Sequence, residues 1–179
     1  NLEEGGNTSL FIKLSGETIA DPQLPDWIKS QLLELNLPCN AVIFEIPESV
    51  AVNKPNETLV FTKAVQAFGS RVAIEHFGYA NKPDIIKGLS VDFLKIDGSL
   101  IKNLASSKDN QDRVKSVVDL ARSTNTLCIA EHVDDAQCLV MLWKYNIDYI
   151  QGNLIHEPGK ELSHDFEDEA ALAGLIEIE

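Results

Sequence analysis

A single lysine interrupts an otherwise apolar run. Residues 91–100 read VDFLKIDGSL, where Val91, Phe93, Leu94 and Ile96 describe a strand buried on both faces and Asp97-Gly98 marks its end. A buried ammonium costs several kcal/mol unless it is paired. Lys95 therefore either points into a cavity or lies against an acid. Acids and other polar groups recur at or just past the ends of the apolar segments: Lys13 and Ser15, Glu45 and Glu48, Glu75 and His76, Lys95 and Asp97, Glu131 and Asp134, and Gln151. Carboxylates with two lysines at converging strand ends make a site, and one with a local basic spot for an anionic ligand. The plainer reading is a structural Lys95 paired with Glu45 or Glu131.

These side chains meet only if the segments carrying them are parallel strands. Strands are predicted at residues 9–14, 41–46, 71–74, 91–96, 127–130 and 149–155. Between them, helical patterns run over 21–35 (Asp21 as cap, Pro22 at the first position), 56–68 (closed by Gly69), 111–125 and 134–145, with a helical turn at 84–88. Leu24, Trp27, Ile28, Leu32 and Leu35 form one apolar face. Val114, Val117, Val118 and Ala121 form a second, and Ala136, Leu139, Val140 and Trp143 a third, which places both tryptophans in the core. Asp134 also fits a capping box with Gln137. Apolar strands alternating with amphipathic helices give an α/β fold with a parallel sheet. An open doubly wound sheet and a (β/α) barrel both satisfy this, and no G-x-G-x-x-G or Walker pattern follows a strand. In a barrel, the strand ends converge on one rim, where active sites lie.

Composition narrows the function. The 179 residues carry a net charge of −13, which disfavours binding to a nucleic-acid backbone. From Glu157 to Glu179 there are eight acids and one lysine, so about half of the excess lies in the tail. That tail, residues 159–179, reads as a solvated, partly disordered segment whose last residues are apolar enough to dock. No apolar run approaches the ~20 residues of a membrane span. Cys39, Cys128 and Cys138 form no ligand-spaced set and suit reduced, buried thiols in a cytoplasmic protein. The chain opens on Asn1 and is expected to be part of a longer protein.

Several linked motifs resemble the EAL domain family, barrels that bind and often hydrolyse cyclic di-GMP. VDFLKIDGS at 91–99 is similar to the family's D-x-x-K-I-D, AEHVD at 130–134 to A-E-G-V-E, and YIQG at 149–152 to Y-x-Q-G. FEIPES at 44–49 resembles E-[IL]-T-E-S. AIEHFG at 73–78 stands where active members carry A-x-D-D-F-G, and IKLS at 12–15 where they carry V-N-L-S. The resemblance runs from about residue 8 to 158 and implies a TIM-like (β/α) barrel of the EAL type, here with about six of eight strands, since the family's first part is absent.

The departures bear on activity. In active members, two Mg²⁺ or Mn²⁺ ions held by oxygen ligands activate a water, and such ions need hard donors. Here Lys13 replaces the asparagine ligand, and Glu75 and His76 replace the paired aspartates. The resemblance therefore implies no efficient hydrolysis and no metal cofactor. Lys13 and Lys95 would neutralise phosphates in the metals' place, with Ser15, Glu45, Glu75, His76, Glu131, Asp134, Gln151 and Pro158 completing the ligand site. LSHDF at 162–166 resembles the extended tail of FimX-type receptors, which implies type IV pilus control and a PilZ-domain partner; a homodimer is a further expectation. The enzyme alternative is a metal-dependent cyclic di-GMP phosphodiesterase with Glu45, Glu75 and Glu131 as ligands. A third reading is an interaction module that no longer binds nucleotide.

Overall fold

The computed structural model describes residues 9–78, 80 and 84–155. Six strands, β1 (Leu10–Lys13), β2 (Val42–Pro47), β3 (Arg71–Phe77), β4 (Phe93–Ile96), β5 (Leu127–Ala130) and β6 (Tyr149–Ile150), form one sheet. They lie in sequence order and every neighbouring pair is parallel. That order decides between the two architectures the sequence permits. A doubly wound sheet reverses its strand order at a switch point, whereas this one advances by a single strand at each crossover. The result is a half-barrel of the TIM-like type.

The connections are α1 (Leu24–Glu34), α2 (Glu48–Asn53), α3 (Pro55–Ala67), α4 (Asp84–Leu89), α5 (Gly98–Ile101), α6 (Lys108–Ser123) and α7 (Ala136–Lys144). Strand alternation sorts side chains into two layers. Val42, Phe44 and Ile46 of β2, Val72 and Ile74 of β3, Leu94 and Ile96 of β4, and Cys128 and Ala130 of β5 join the large core with the helices. The opposite face buries a small cluster of Ile43, Ala73, Phe93 and Ile129. Two positions further along these four strands come Glu45, Glu75, Lys95 and Glu131, all buried. The floor of the concave face is thus apolar, and the layer above it is charged.

Several expectations need correction. Trp27 and Trp143 are 60% and 44% exposed. The buried faces of their helices are carried by Ile28 and Leu32 in α1 and by Cys138 and Leu142 in α7, so each tryptophan lies one residue, about 100°, off the core stripe. Val140, two residues and about 200° from both Cys138 and Leu142, faces away from the core, and Leu35 lies past the end of α1; both are exposed. The cap of α7 is Asp135, whose side chain accepts the Gln137 N–H, not Asp134. Gln23 occupies the cap position of α1, and Asp21 accepts its N–H. Strand β3 continues to Phe77 rather than ending at 74, while β6 stops at Ile150. The short helices α2 and α5 directly follow strands and were not foreseen. The α6 face of Val114, Val117, Val118 and Ala121 is buried as expected.

The loop after β6 is tied to the loop after β5 through the backbone. The Val133 N–H donates to the Gln151 carbonyl at 3.0 Å, and the Leu154 N–H to the Val133 carbonyl at 3.1 Å. This clasp requires glycine at 152, because a Cβ there would stand 2.3 Å from both the Val133 nitrogen and its carbonyl oxygen. Backbone cannot yield as a flexible side chain can. Gly152→Ala is expected to lower stability by about 1–3 kcal/mol, the usual range for overpacking, measured by urea denaturation. An unchanged midpoint would contradict the clasp.

Candidate functional site

Lys95 is 3% exposed and lies between two carboxylates. Its Nζ is 2.5 Å from Glu45 Oε1 on β2 and 3.0 Å from Glu131 Oε1 just past β5. The ring of Phe11 on β1 approaches to 5.2 Å, adding a cation–π contact. The strand bearing Glu131 borders β4, whereas Glu45 reaches Lys95 from β2 across the intervening β3; all three occupy the inward-facing layer above the apolar floor. Both acids that the sequence offered as partners are used at once.

Lys13 sits on the edge strand β1 and is 63% exposed. Its Nζ lies 2.7 Å from Glu75 Oε2, while the Glu75 side chain is only 5% exposed. Glu75 holds the Lys13 ammonium above its usual range; burial opposes this, and Glu45 and Glu131 reinforce it. That Glu75 oxygen makes no aligned hydrogen bond within the protein, so the ammonium beside it is its main electrostatic compensation.

His76 owes its position to a backbone irregularity. Between Ile74 and Phe77, β3 carries one more residue than β4 opposite it, and His76 has φ +55°. Adjacent residues of a regular strand face opposite sides of the sheet; a bulge re-aims one of them. Glu75 and His76 consequently address the same rim. His76 Nδ1 lies 3.2 Å from Asp97 Oδ2 and 3.6 Å from Glu131 Oε2, and Nε2 is 3.8 Å from Glu75 Oε2. Burial works to raise the Asp97 pKa, but hydrogen bonds from Ser99 and the neighbouring His76 hold it below the usual carboxylate value.

The remaining candidates divide. Gln151 lines the same cavity as Lys13, Glu45, Lys95 and Glu131. The Ser15 hydroxyl is engaged locally, within hydrogen-bond distance of Thr18 Oγ1 and accepting the Thr18 N–H. Asp134 accepts the Asn153 N–H, bracing the clasp described above. Pro158 and the acidic tail lie outside the described residues.

Two contributors, Arg113 and Arg71, were not singled out from the sequence. Asp97, one of the polar groups expected at the strand ends, faces His76. Glu48 accepts N–H bonds from Gly78 and Ala80, and Arg113 donates to the Gly78 carbonyl, so both secure the chain following β3. The only sequence signal for Glu48 was its place at a strand end. Arg71, with its guanidinium 5.4 Å over the Phe93 ring, walls the cavity below the charged layer; nothing in the sequence pointed to it.

A protein-family model described as the EAL domain matches residues 1–158. The chain belongs to the EAL domain family. Among curated relatives of this EAL domain is cyclic di-GMP phosphodiesterase PdeF of Escherichia coli, 32% identical over 82% of the chain and 20% of PdeF. Among solved structures, the FimX EAL domain from Pseudomonas aeruginosa bound to c-di-GMP superposes with a TM-score of 0.85 at 30% identity, over 92% of this chain and 68% of that one. The Xanthomonas citri FimX EAL domain in complex with c-diGMP gives 0.85 at 26%, over 92% and 66%. The chain spans about a fifth of the curated relatives it matches. No helix among the described residues is long and apolar enough to cross a membrane.

The donor set of this EAL domain does not fit a pair of hard divalent ions. Among the described residues, no group of three or more His, Cys, Asp or Glu side chains is arranged to hold a metal. Glu45 and Glu131 each direct an oxygen at the Lys95 ammonium, Glu75 directs one at Lys13, and imidazole suits softer metals than Mg²⁺. Removing Lys95 would leave two buried carboxylates facing each other without a cation. Lys95→Met is expected to lose about 3–5 kcal/mol near pH 7, the cost of breaking a buried ion pair. Urea titrations of the two proteins measure it, and an unchanged midpoint would show that the buried carboxylates do not depend on Lys95.

Proposed function

We infer that this EAL domain is a receptor for cyclic di-GMP that does not hydrolyse it. The observation that supports the reading is Lys13: where the resemblance expects a ligand oxygen, an ammonium lies 2.7 Å from the rim carboxylate of Glu75, beside the retained motif lysine Lys95. A receptor needs positive charge for the two phosphodiesters but no activated water. Lys13, exposed at the mouth, is the group that meets phosphate; Lys95 keeps Glu45 and Glu131 from repelling it. Arg71, Phe11, Phe93 and Tyr149 offer planar and apolar surface for a base in the same cavity. The FimX structures solved with c-di-GMP support this choice of ligand. By the same likeness, the proposed setting is cytoplasmic signalling to a protein partner, with type IV pilus control through a PilZ-domain adaptor as its most specific form.

A phosphodiesterase is the second reading, supported by the names of relatives such as PdeF. It would require Glu45, Glu75 and Glu131 to release their lysines and take up Mg²⁺ or Mn²⁺. Calorimetric titration with cyclic di-GMP in EDTA, repeated with Mn²⁺ and a linear-product assay, separates the two. Binding in EDTA with no product is expected, weakened about tenfold in Lys13→Asn, which corresponds to ~1.4 kcal/mol. Product formed with Mn²⁺ would establish the enzyme, and absence of binding would leave an interaction module.

A further inference from the structure

The two lysines of the rim are held very differently, and the difference has a consequence for ligand entry. Lys95 is buried and fixed by two carboxylates. Lys13 is largely exposed, lies on an edge strand and is held by one carboxylate oxygen, Glu75 Oε2. That oxygen belongs to a buried side chain and makes no aligned hydrogen bond within the protein. An anionic ligand arriving at the mouth therefore meets a lysine that is already neutralised.

We propose that Glu75 is an internal competitor of the ligand: its carboxylate occupies the Lys13 ammonium, and a phosphodiester must displace it to bind. Glu75 thus sets affinity downward, as a negative specificity determinant that a weakly anionic ligand cannot overcome. The structure also places a second polar side chain beside the displaced carboxylate. His76 Nε2 is 3.8 Å from the same Glu75 oxygen, and the bulge at His76 brings both side chains to one rim. When Lys13 turns to phosphate, Glu75 retains the His76 ring as a polar neighbour, so displacement is less costly than leaving a bare buried carboxylate.

The inference rests on the receptor reading, and a double-mutant cycle on cyclic di-GMP affinity tests the two separately. Wild type, Glu75→Gln, Lys13→Met and the double variant of the whole protein are titrated calorimetrically in EDTA, with thermal midpoints confirming that each is folded. Glu75→Gln keeps the shape of the side chain and removes its charge. It is expected to tighten binding about threefold to tenfold, in line with the modest net strength of exposed ion pairs. In the Lys13→Met background, the same change should give a clearly smaller gain.

Equal gains in both backgrounds would overturn the competition, since Glu75 would then act only as one more negative charge in the field. Binding by wild type that Glu75→Gln leaves unchanged or weakens would overturn it too, while leaving the receptor reading intact. Binding seen only in Glu75→Gln would support it in its strongest form. Absence of binding in all four proteins would remove the receptor reading along with it.

Discussion

A cation buried between two carboxylates governs this half-barrel. Lys95 on β4, Glu45 on β2 and Glu131 just past β5 occupy one inward-facing layer directly above an apolar floor, with β3 lying between β2 and β4. None of the three could sit there alone, because burial penalises each charge by several kcal/mol. Together they reduce the local charge to that of one carboxylate, and Phe11 shields the ammonium on its open side. The arrangement needs strands in sequence order with aligned register. The fold and the charge layer are therefore one constraint, and substitution of any member would be felt by the other two.

The same constraint shapes the chemistry around it. One oxygen each of Glu45 and Glu131 faces the Lys95 ammonium, while Glu131 Oε2 lies toward His76. Lys13 repeats the arrangement with Glu75 at the cavity mouth, where solvent and ligand have access. The inner lysine is buried between two carboxylates, and the outer pair lies at the exposed mouth. His76, brought by the bulge among Glu75, Asp97 and Glu131, presents imidazole nitrogens, which suit softer metals than Mg²⁺.

Much of this was legible in the sequence. The VDFLKIDG run announced a buried strand with one lysine that needed a partner, and Glu45 and Glu131 were candidates for it. The period of the α6 valines fixed its buried face, and strand-helix alternation fixed the fold class. Strand order, which alone separates a half-barrel from a doubly wound sheet, is a long-range property absent from any local pattern. The tryptophans were misplaced because a large apolar residue next to a core position satisfies a helical pattern nearly as well as the core residue itself. The bulge at His76 left no compositional mark: the local sequence reads as a strand running into a loop, and only pairing with β4 shows the extra residue. The Lys13–Glu75 pair spans 62 positions and could be suspected from charge but not located.

In the proposed receptor, the Lys13 ammonium at the rim does the work of a metal ion. Electron paramagnetic resonance of Mn²⁺ titrated into the protein at neutral pH, with and without cyclic di-GMP, tests it most directly. Expected is a free-ion signal that rises in step with added Mn²⁺ under both conditions. Two tightly held ions per chain, especially a coupled pair that appears with the nucleotide, would contradict it.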